Sequence, residues 1–283
     1  MTGVPFKIKT ISRKEVDIAV AWAAAEGWNP GLHDADSYYT ADPNGFLIGY
    51  LGKEPIASIS VVKYDESFGF LGFYIVKPEY RGQGYGIQIW KAGLDYLAGC
   101  NVGLDGVVNQ QENYKKSGFN LAYRNVRYEG TGGGEAADNE SIVDLGSVPF
   151  VELVEYERPF FPTDRSSFLK SWIAQPNSHA LGIMSNDQLA GYGVIRQCRS
   201  GYKIGPLYAN SPDLADTLFQ ALRSKVSSAA TIYLDVPEPN SAAVTLAQQH
   251  GMSIVFETAR MYTDDAPNIP LNRVFGVTSF EIG

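Results

Sequence analysis

Three glycines at alternate positions, next to an arginine, form the stretch whose residue types and spacing are best suited to chemistry. Residues 75–87 read IVKPEYRGQGYGI, and we predict a strand at 68–76 before the loop and a helix at 86–97 after it. Such a loop brings main-chain N–H groups and a helix N-terminus to one small volume, where they can bind phosphate. Glycine leaves the main chain open to phosphate oxygens, and Arg81 adds a charged donor. The sequence therefore predicts phosphate binding, with a structural turn as the alternative.

Other phosphate-binding motifs do not match this loop. A P-loop ends in Gly-Lys-Ser/Thr, whereas Gly86-Ile87-Gln88 stands here. A dinucleotide-binding fingerprint is spaced G-x-G-x-x-G, whereas the three glycines here are spaced G-x-G-x-G. The chain also has no His-Arg-Asp or Asp-Phe-Gly tripeptide, which a protein kinase would need. The phosphate ligand is thus predicted to belong to another class.

The stretch resembles the signature of the GNAT superfamily, whose members are acetyl-CoA-dependent N-acyltransferases. That signature is Gln/Arg-x-x-Gly-x-Gly/Ala after an apolar strand ending in Val-x-Pro, and RGQGYG at 81–86 follows VKP at 76–78. A second family element, a tyrosine four residues before Gly-Phe, is matched by Tyr114 before Gly118-Phe119. The resemblance is specific over residues 71–119.

The resemblance implies how acetyl-CoA, the acyl donor, would be held, and it implies no metal. The CoA pyrophosphate is expected on the main chain of the glycine loop, defined as Arg81, Gly82, Gln83, Gly84, Tyr85 and Gly86. The main chain of Ile75 and Val76 is expected to pair with the pantetheine and to polarise the acyl carbonyl. Tyr114 is expected to protonate the departing thiolate, with a place in the core beside Phe119 as its alternative.

The acceptor side of the reaction is expected to involve Trp28, Asp34 and Tyr74. The general base is open, because the strand residues 68–74 lack the carboxylate that the family commonly uses on or near this strand. An aspartate near the start of a helix can equally well serve as a helix cap, which is a structural role. The open alternatives are an ordered water with no dedicated base, or one of Asp34, Asp36, Asp105 and His33.

A small, polar segment at 130–138 divides the chain into two halves with related patterns. The dipeptide Leu-Asp, at 104–105 and 234–235, precedes a Gly-apolar step in each half, and an arginine lies near the end of each unit. We predict a diverged tandem repeat of class α+β: two GNAT-like domains, each a mostly antiparallel twisted sheet flanked by helices. The predicted domains are 1–130, which binds acetyl-CoA, and 141–283, joined by a linker at 131–140.

The second half is predicted to be a degenerate unit. Residues 202–213, which correspond to the glycine loop, contain neither alternating glycines nor an arginine. Ala247 stands at the position of Tyr114, while Asn240 matches a family position where the first half has Val107. One acyl-CoA site per chain is therefore expected.

Charge and cysteine content limit the binding partners and the cellular compartment that can be predicted for this chain. A net charge of −8 and a pI near 5.0, with no Lys/Arg cluster, argue against nucleic-acid and anionic-membrane partners. Two isolated cysteines give no zinc spacing, and the absence of a leader or a long apolar run favours the cytoplasm. The predicted function is acetyl transfer from acetyl-CoA to a primary amine of a small molecule or peptide, by a monomer or homodimer. A non-catalytic acyl-CoA sensor is the alternative.

Overall fold

The computed structural model describes residues 4–134 and 140–283, which form eight α-helices and thirteen strands. The first half contains β1 (Phe6–Thr10), α1 (Arg13–Ala25), α2 (Asp34–Ala41), β2 (Phe46–Leu51), β3 (Glu54–Lys63), β4 (Phe68–Val76), α3 (Tyr85–Tyr96), β5 (Asn101–Val107), α4 (Gln111–Lys116) and β6 (Asn120–Thr131). The second half contains β7 (Ile142–Asp144), α5 (Phe150–Glu157), α6 (Ser166–Trp172), β8 (Ser178–Ser185), β9 (Gln188–Gln197), β10 (Tyr202–Ala209), α7 (Pro212–Arg223), β11 (Thr231–Pro237), α8 (Ser241–Gln249), β12 (Ser253–Tyr262) and β13 (Val274–Gly276). The predicted α+β class is confirmed.

The two halves exchange their last long strands. β12, from the second half, pairs antiparallel with β5, so that Arg260 lies opposite Asp105. β6, from the first half, pairs antiparallel with β11, so that Arg127 lies opposite Asp235. β6 and β12 also pair with each other. One 13-stranded sheet results in the order β1-β2-β3-β4-β5-β12-β6-β11-β10-β9-β8-β7, with β13 beside β10.

Separate hydrophobic cores on this sheet contain residues from the exchanged strands. The core under α3 includes Ala259 and Met261 of β12 together with Trp90 of α3. The core under α7 includes Val126 of β6 together with Leu222 of α7. Each half therefore buries part of the other half's last strand. The domain boundary at 131–140 stays a prediction, and the strands before and after it belong to one sheet. Of that expected linker, residues 135–139 lie outside the described residues.

Two buried ion pairs join the exchanged strands to the opposite half. Arg127 donates through Nε and Nη2 to the Oδ1 and Oδ2 atoms of Asp235, at 2.6 and 2.8 Å. Arg260 donates through Nε and Nη2 to the Oδ1 and Oδ2 atoms of Asp105, at 3.0 and 2.5 Å. Burial alone would raise the pKa of Asp235, but the guanidinium of Arg127 outweighs burial and holds that pKa below its ordinary value. The Leu-Asp and Arg positions shared by the two repeats are thus partners across the halves.

Each half contains a pair of parallel strands that begin together and then diverge. β4 pairs with β5 only from Phe68 to Leu71, and no strand of the described residues fills the gap beyond. β10 pairs with β11 only from Tyr202 to Ile204, and here β13 fills the gap by pairing with β10 at Leu207 and Tyr208. Only the first half therefore keeps an open cleft between its diverging strands. Among the described residues, no helix has the length and apolar character needed to cross a membrane.

We expect Asp235→Ala to lower the free energy of unfolding by about 3–5 kcal/mol, because Arg127 would be left buried without its counter-charge. The matched control is Glu112→Ala, which removes the acidic partner from the exposed Lys115–Glu112 pair and should leave stability close to that of the unchanged protein. Urea unfolding followed by circular dichroism measures both. Equal stability of the two variants would contradict a stabilising role for the crossed pair.

Candidate active site

The glycine loop connects β4 to α3 with an open main chain. Gly82 and Gly84 have φ angles of +74° and +84°, in the left-handed region that favours glycine. A Cβ atom at either position would meet nothing within 4 Å, so conformation and not a clash with protein requires glycine there. The amides of residues 82–86 make no hydrogen bond with the described residues, and Gly84 caps α3 without a side chain. These N–H groups are free to bind an anion at a helix N-terminus.

Gly86 has a different reason to be glycine. A Cβ atom there would lie 2.7 Å from the hydroxyl oxygen of Tyr74 and 3.2 Å from Cγ2 of Val76. The missing side chain lets the first turn of α3 approach β4 closely. The glycine loop and the end of β4 are consequently held against each other.

A cavity of about 600 Å³ occupies the cleft where β4 and β5 diverge. The residues predicted from the sequence that line it are Trp28, Tyr74, Ile75, Val76, Arg81, Gly82, Gly84, Gly86, Asp105 and Tyr114. The side chains of Gln83 and Tyr85 turn elsewhere: Gln83 donates to the main-chain oxygen of Glu79 at 2.9 Å, and Tyr85 packs on Phe6 with ring centroids 5.0 Å apart. For these two residues, only the main chain can take part in the expected anion binding.

β4 is irregular where it begins to line the cavity. Phe73 has a φ of +45°, and the pairing of β3 with β4 shifts register between Ser58 and Ser60. A non-glycine residue in this region stores strain on the order of 1–3 kcal/mol, and such bulges often lie beside active sites. The hydroxyl of Ser58 donates to the main-chain oxygen of Phe73 at 2.8 Å, which supports the bulge. No pattern in the sequence predicted this feature.

Tyr114 lies in the cavity wall with its ring in the core and its hydroxyl without a hydrogen-bond partner among the described residues. The ring stacks on Trp90 at a centroid distance of 5.7 Å. Gly106 makes room for it, since a Cβ atom there would lie 2.2 Å from Cε2 of Tyr114. Burial, with a smaller contribution from Tyr74, raises the pKa of Tyr114 to about 12. The phenol therefore carries its proton at neutral pH.

Arg81 is less free than the sequence suggests. Its Nη2 atom lies 2.5 Å from Oε1 of Glu26, and its Nε donates to the main-chain oxygen of Val76 at 2.8 Å. Half of its side chain is exposed. The guanidinium thus ties α1 to the end of β4 at the edge of the cavity, and its charge is shared with a carboxylate.

Asp34 does not line the cavity. Its carboxylate is fully buried, accepts from Nε of Arg196 at 2.8 Å and accepts from the amide of Gly31 at 2.8 Å. Burial would raise the pKa of Asp34, but the charge of Arg196 outweighs it and lowers that pKa. The expectation of acceptor binding is corrected accordingly: the carboxylate fixes the turn before α2 to β9.

The other proposed bases differ in their distance from the cavity. Asp36 is exposed and paired with Nε of Arg13 at 2.6 Å, and neither Asp36 nor His33 lines the cavity. Asp105 does line it, but both of its oxygens accept from Arg260. Sequence reasoning missed a further group of lining residues because most come from the second half: Glu26, Phe256, Thr258, Phe280 and Glu281. The repeated Leu-Asp and Arg positions were the one signal of contact between the halves.

Comparisons with known proteins agree with this fold. A model of the acetyltransferase (GNAT) family matches residues 15–119, and a model of an acetyltransferase (GNAT) domain matches residues 153–276. A holothin acyltransferase from Pseudoalteromonas sp. (strain SANK 73390) is 31% identical over 275 residues, which cover 97% of this chain and 94% of that protein.

Two solved structures have the same fold over nearly the whole chain. A putative acetyltransferase from Pyrococcus horikoshii has a TM-score of 0.83 and 22% identity, covering 100% of this chain and 97% of its own. A tandem GNAT protein from the clavulanic acid biosynthesis pathway has a TM-score of 0.66 and 11% identity, covering 93% of this chain and 100% of its own. Fold and site thus define an acyltransferase of the GNAT fold. The chain belongs to the GNAT acetyltransferase family and has the tandem arrangement predicted from its repeat.

We expect Gly84→Val to weaken acetyl-CoA affinity at least tenfold, or about 1.4 kcal/mol, because valine strains the left-handed backbone that presents the free amides. The matched control is Gly99→Val, since Gly99 also has a positive φ, has nothing within 4 Å of its Cβ position and does not line the cavity. Isothermal titration with acetyl-CoA measures both variants. Unchanged affinity in a folded Gly84→Val protein would remove the glycine loop from the binding site.

Proposed function

We propose that this GNAT acyltransferase transfers an acetyl group from acetyl-CoA to a primary amine of a small molecule or peptide. The observation that carries the proposal is the presence, in one cavity, of unpartnered amides at the N-terminus of α3 and of the protonated phenol of Tyr114. Anion binding and proton donation are the two functions that a CoA thioester donor requires. A cytoplasmic location, a monomer or homodimer, and the absence of nucleic-acid and membrane partners remain predictions from the sequence.

The donor would lie along the cleft with its parts on different elements. The glycine loop would bind the pyrophosphate through its amides, and Arg81 would reach it by leaving Glu26. The free edge of β4 at Ile75 and Val76, which β5 does not cover, would pair with the pantetheine. Tyr114 would then protonate the thiolate. The acceptor would approach from the side of Trp28 and Tyr74.

A non-catalytic acyl-CoA sensor is supported less well. A sensor needs the anion-binding loop but has no use for a cavity phenol without a hydrogen-bond partner among the described residues. The relative that is 31% identical is named for acyl transfer to holothin, which favours turnover over binding alone.

The proposal is tested by thiol release from acetyl-CoA in the presence of primary amines, amino acids and peptides. Acceptor-dependent release of free CoA, with an acetylated amine found by mass spectrometry, is the expected result. Parallel reactions with longer acyl-CoA donors would identify the preferred acyl chain. Binding of acetyl-CoA without release for any acceptor would favour the sensor.

For Tyr114→Phe we expect kcat to fall about 10²- to 10⁴-fold, with acetyl-CoA affinity almost unchanged, because only the proton-donating hydroxyl is lost. Tyr202→Phe serves as the control, since Tyr202 lies on β10 and does not line the cavity. Steady-state kinetics and titration calorimetry separate the two quantities. A kcat equal to that of the unchanged protein would assign Tyr114 to the core alone.

Binding of one CoA per chain is expected for two reasons. In the second half, a side chain of the same half already accepts a hydrogen bond from an amide at the N-terminus of α7, and β13 fills the cleft between β10 and β11. The hydroxyl of Ser211 accepts from the amide of Leu214 at the start of α7, and Pro212 supplies no N–H. Lys203 is buried and donates to the main-chain oxygen of Asn29 at 3.2 Å. Calorimetry of the full chain with CoA should give a stoichiometry near one. A reproducible value near two would show that the second half retains a site.

A further inference from the structure

Three carboxylates line the cavity, and two of them are neutralised by arginines. Oε1 of Glu26 lies 2.5 Å from Nη2 of Arg81, and Asp105 accepts two hydrogen bonds from Arg260. The third carboxylate, that of Glu281, has no cation within 4 Å among the described residues. It is therefore the one lining carboxylate of the described cavity whose lone pairs are not held by a fixed positive charge.

Hydroxyl groups hold this carboxylate from one side. Ser279 donates from Oγ to Oε2 of Glu281 at 2.5 Å, and the hydroxyl of Tyr38 lies 3.1 Å from the same oxygen. Oε1 of Glu281 accepts no hydrogen bond from the described residues. Arg127 and Lys203 act on the carboxylate only at longer range. One oxygen thus fixes the side chain of this cavity-lining residue, and the other has no hydrogen-bond partner among the described residues.

The main chain brings Glu281 to the strand that has no acidic side chain of its own. A Cβ atom at Gly72 of β4 would lie 2.1 Å from the main-chain oxygen of Glu281, so the segment crosses β4 directly beside the bulge at Phe73. The next residue of the segment is held as well, because the hydroxyl of Tyr64 donates to the main-chain oxygen of Ile282 at 2.8 Å. The second half therefore supplies an anchored carboxylate to the first half's cleft.

We propose that Glu281 is the proton acceptor for the amine, an inference that rests on the proposed acetyl transfer. The amine lone pair forms the new C–N bond as the thioester C–S bond breaks, and the sulfur takes the electron pair and the proton of Tyr114. The nitrogen, positive once the C–N bond forms, gives its extra proton to Oε1 of Glu281. Solvent then returns a proton from Glu281 to Tyr114, so that protons balance over one turnover.

Glu281→Gln keeps the size and hydrogen bonding of the side chain but removes its basicity. With acetyl-CoA and the best acceptor from the amine panel, we expect kcat to fall about 10²- to 10⁴-fold, while calorimetric affinity for acetyl-CoA stays the same. The matched control is Glu257→Gln, because Glu257 is exposed on β12 and does not line the cavity. Its kcat should equal that of the unchanged protein.

A further readout separates a base from a structural role. In Glu281→Ala, formate or acetate added to the assay should restore activity in proportion to its concentration, because a small carboxylate can occupy the vacated space and accept the proton. A variant that had lost only packing would not recover activity in this way.

The outcomes distinguish this inference from the proposed function. If the unchanged protein releases no CoA with any amine, the proposed function itself is wrong. If it turns over and Glu281→Gln keeps kcat within about twofold, the proton acceptor lies elsewhere. A variant that raises only the KM for the amine would make Glu281 a binding residue for the ammonium group, which also overturns the proposal. Failure of formate and acetate to restore the activity of Glu281→Ala would do the same.

Discussion

Two buried ion pairs that cross between the halves are the constraint on which the rest of the structure depends. Arg127 with Asp235 and Arg260 with Asp105 lie directly opposite each other on neighbouring strands. A buried charge without its partner is strongly unfavourable, and a shift of one residue would turn the side chain to the other face of the sheet. The pairs therefore specify both the partner and the register of each exchanged strand. β12 in this register brings Phe256 and Thr258 to the cavity wall.

Local signals in the sequence predicted the parts of the site that are contiguous along the chain. The strand at 68–76, the glycine loop and the following helix depend on neighbouring residues, and so could be inferred from hydrophobic pattern and glycine spacing. The exchange of strands could not be inferred from the sequence, because strands that pair within a half and strands that pair between halves have the same alternating hydrophobic pattern. Asp34 shows the same limit: its position along the sequence suggested acceptor binding by resemblance to the family, whereas its partner Arg196 lies in the other half. The position of Glu281 in the first half's cleft could not be predicted from the sequence for the same reason.

The two halves show how one framework can keep or lose an anion site through the chemistry of a single helix terminus. In α3 the cap is Gly84, which leaves the first amides without partners among the described residues. In α7 the cap is Ser211, whose side chain satisfies an amide that a phosphate would otherwise bind. The clefts beside these helices differ in the same way, since only the cleft of the second half is filled by a strand. Asn240 donates to the main-chain oxygen of Val274 at 2.8 Å and so holds that strand, β13, in place. The residue that matched the family best in the second half thus stabilises the filling of its cleft.

The exchange of strands has a consequence for the order in which the protein can fold during synthesis. Both native neighbours of β6, which are β11 and β12, are synthesised after it. One edge of β5 likewise stays unpaired until β12 has been synthesised. The nascent first half therefore carries unpaired strand edges, which are prone to aggregate. Pairing over such sequence separations is also slow. The ribosome must pass β12 before the first half can close, so that a chain stalled between the repeats would depend on chaperones to stay in solution.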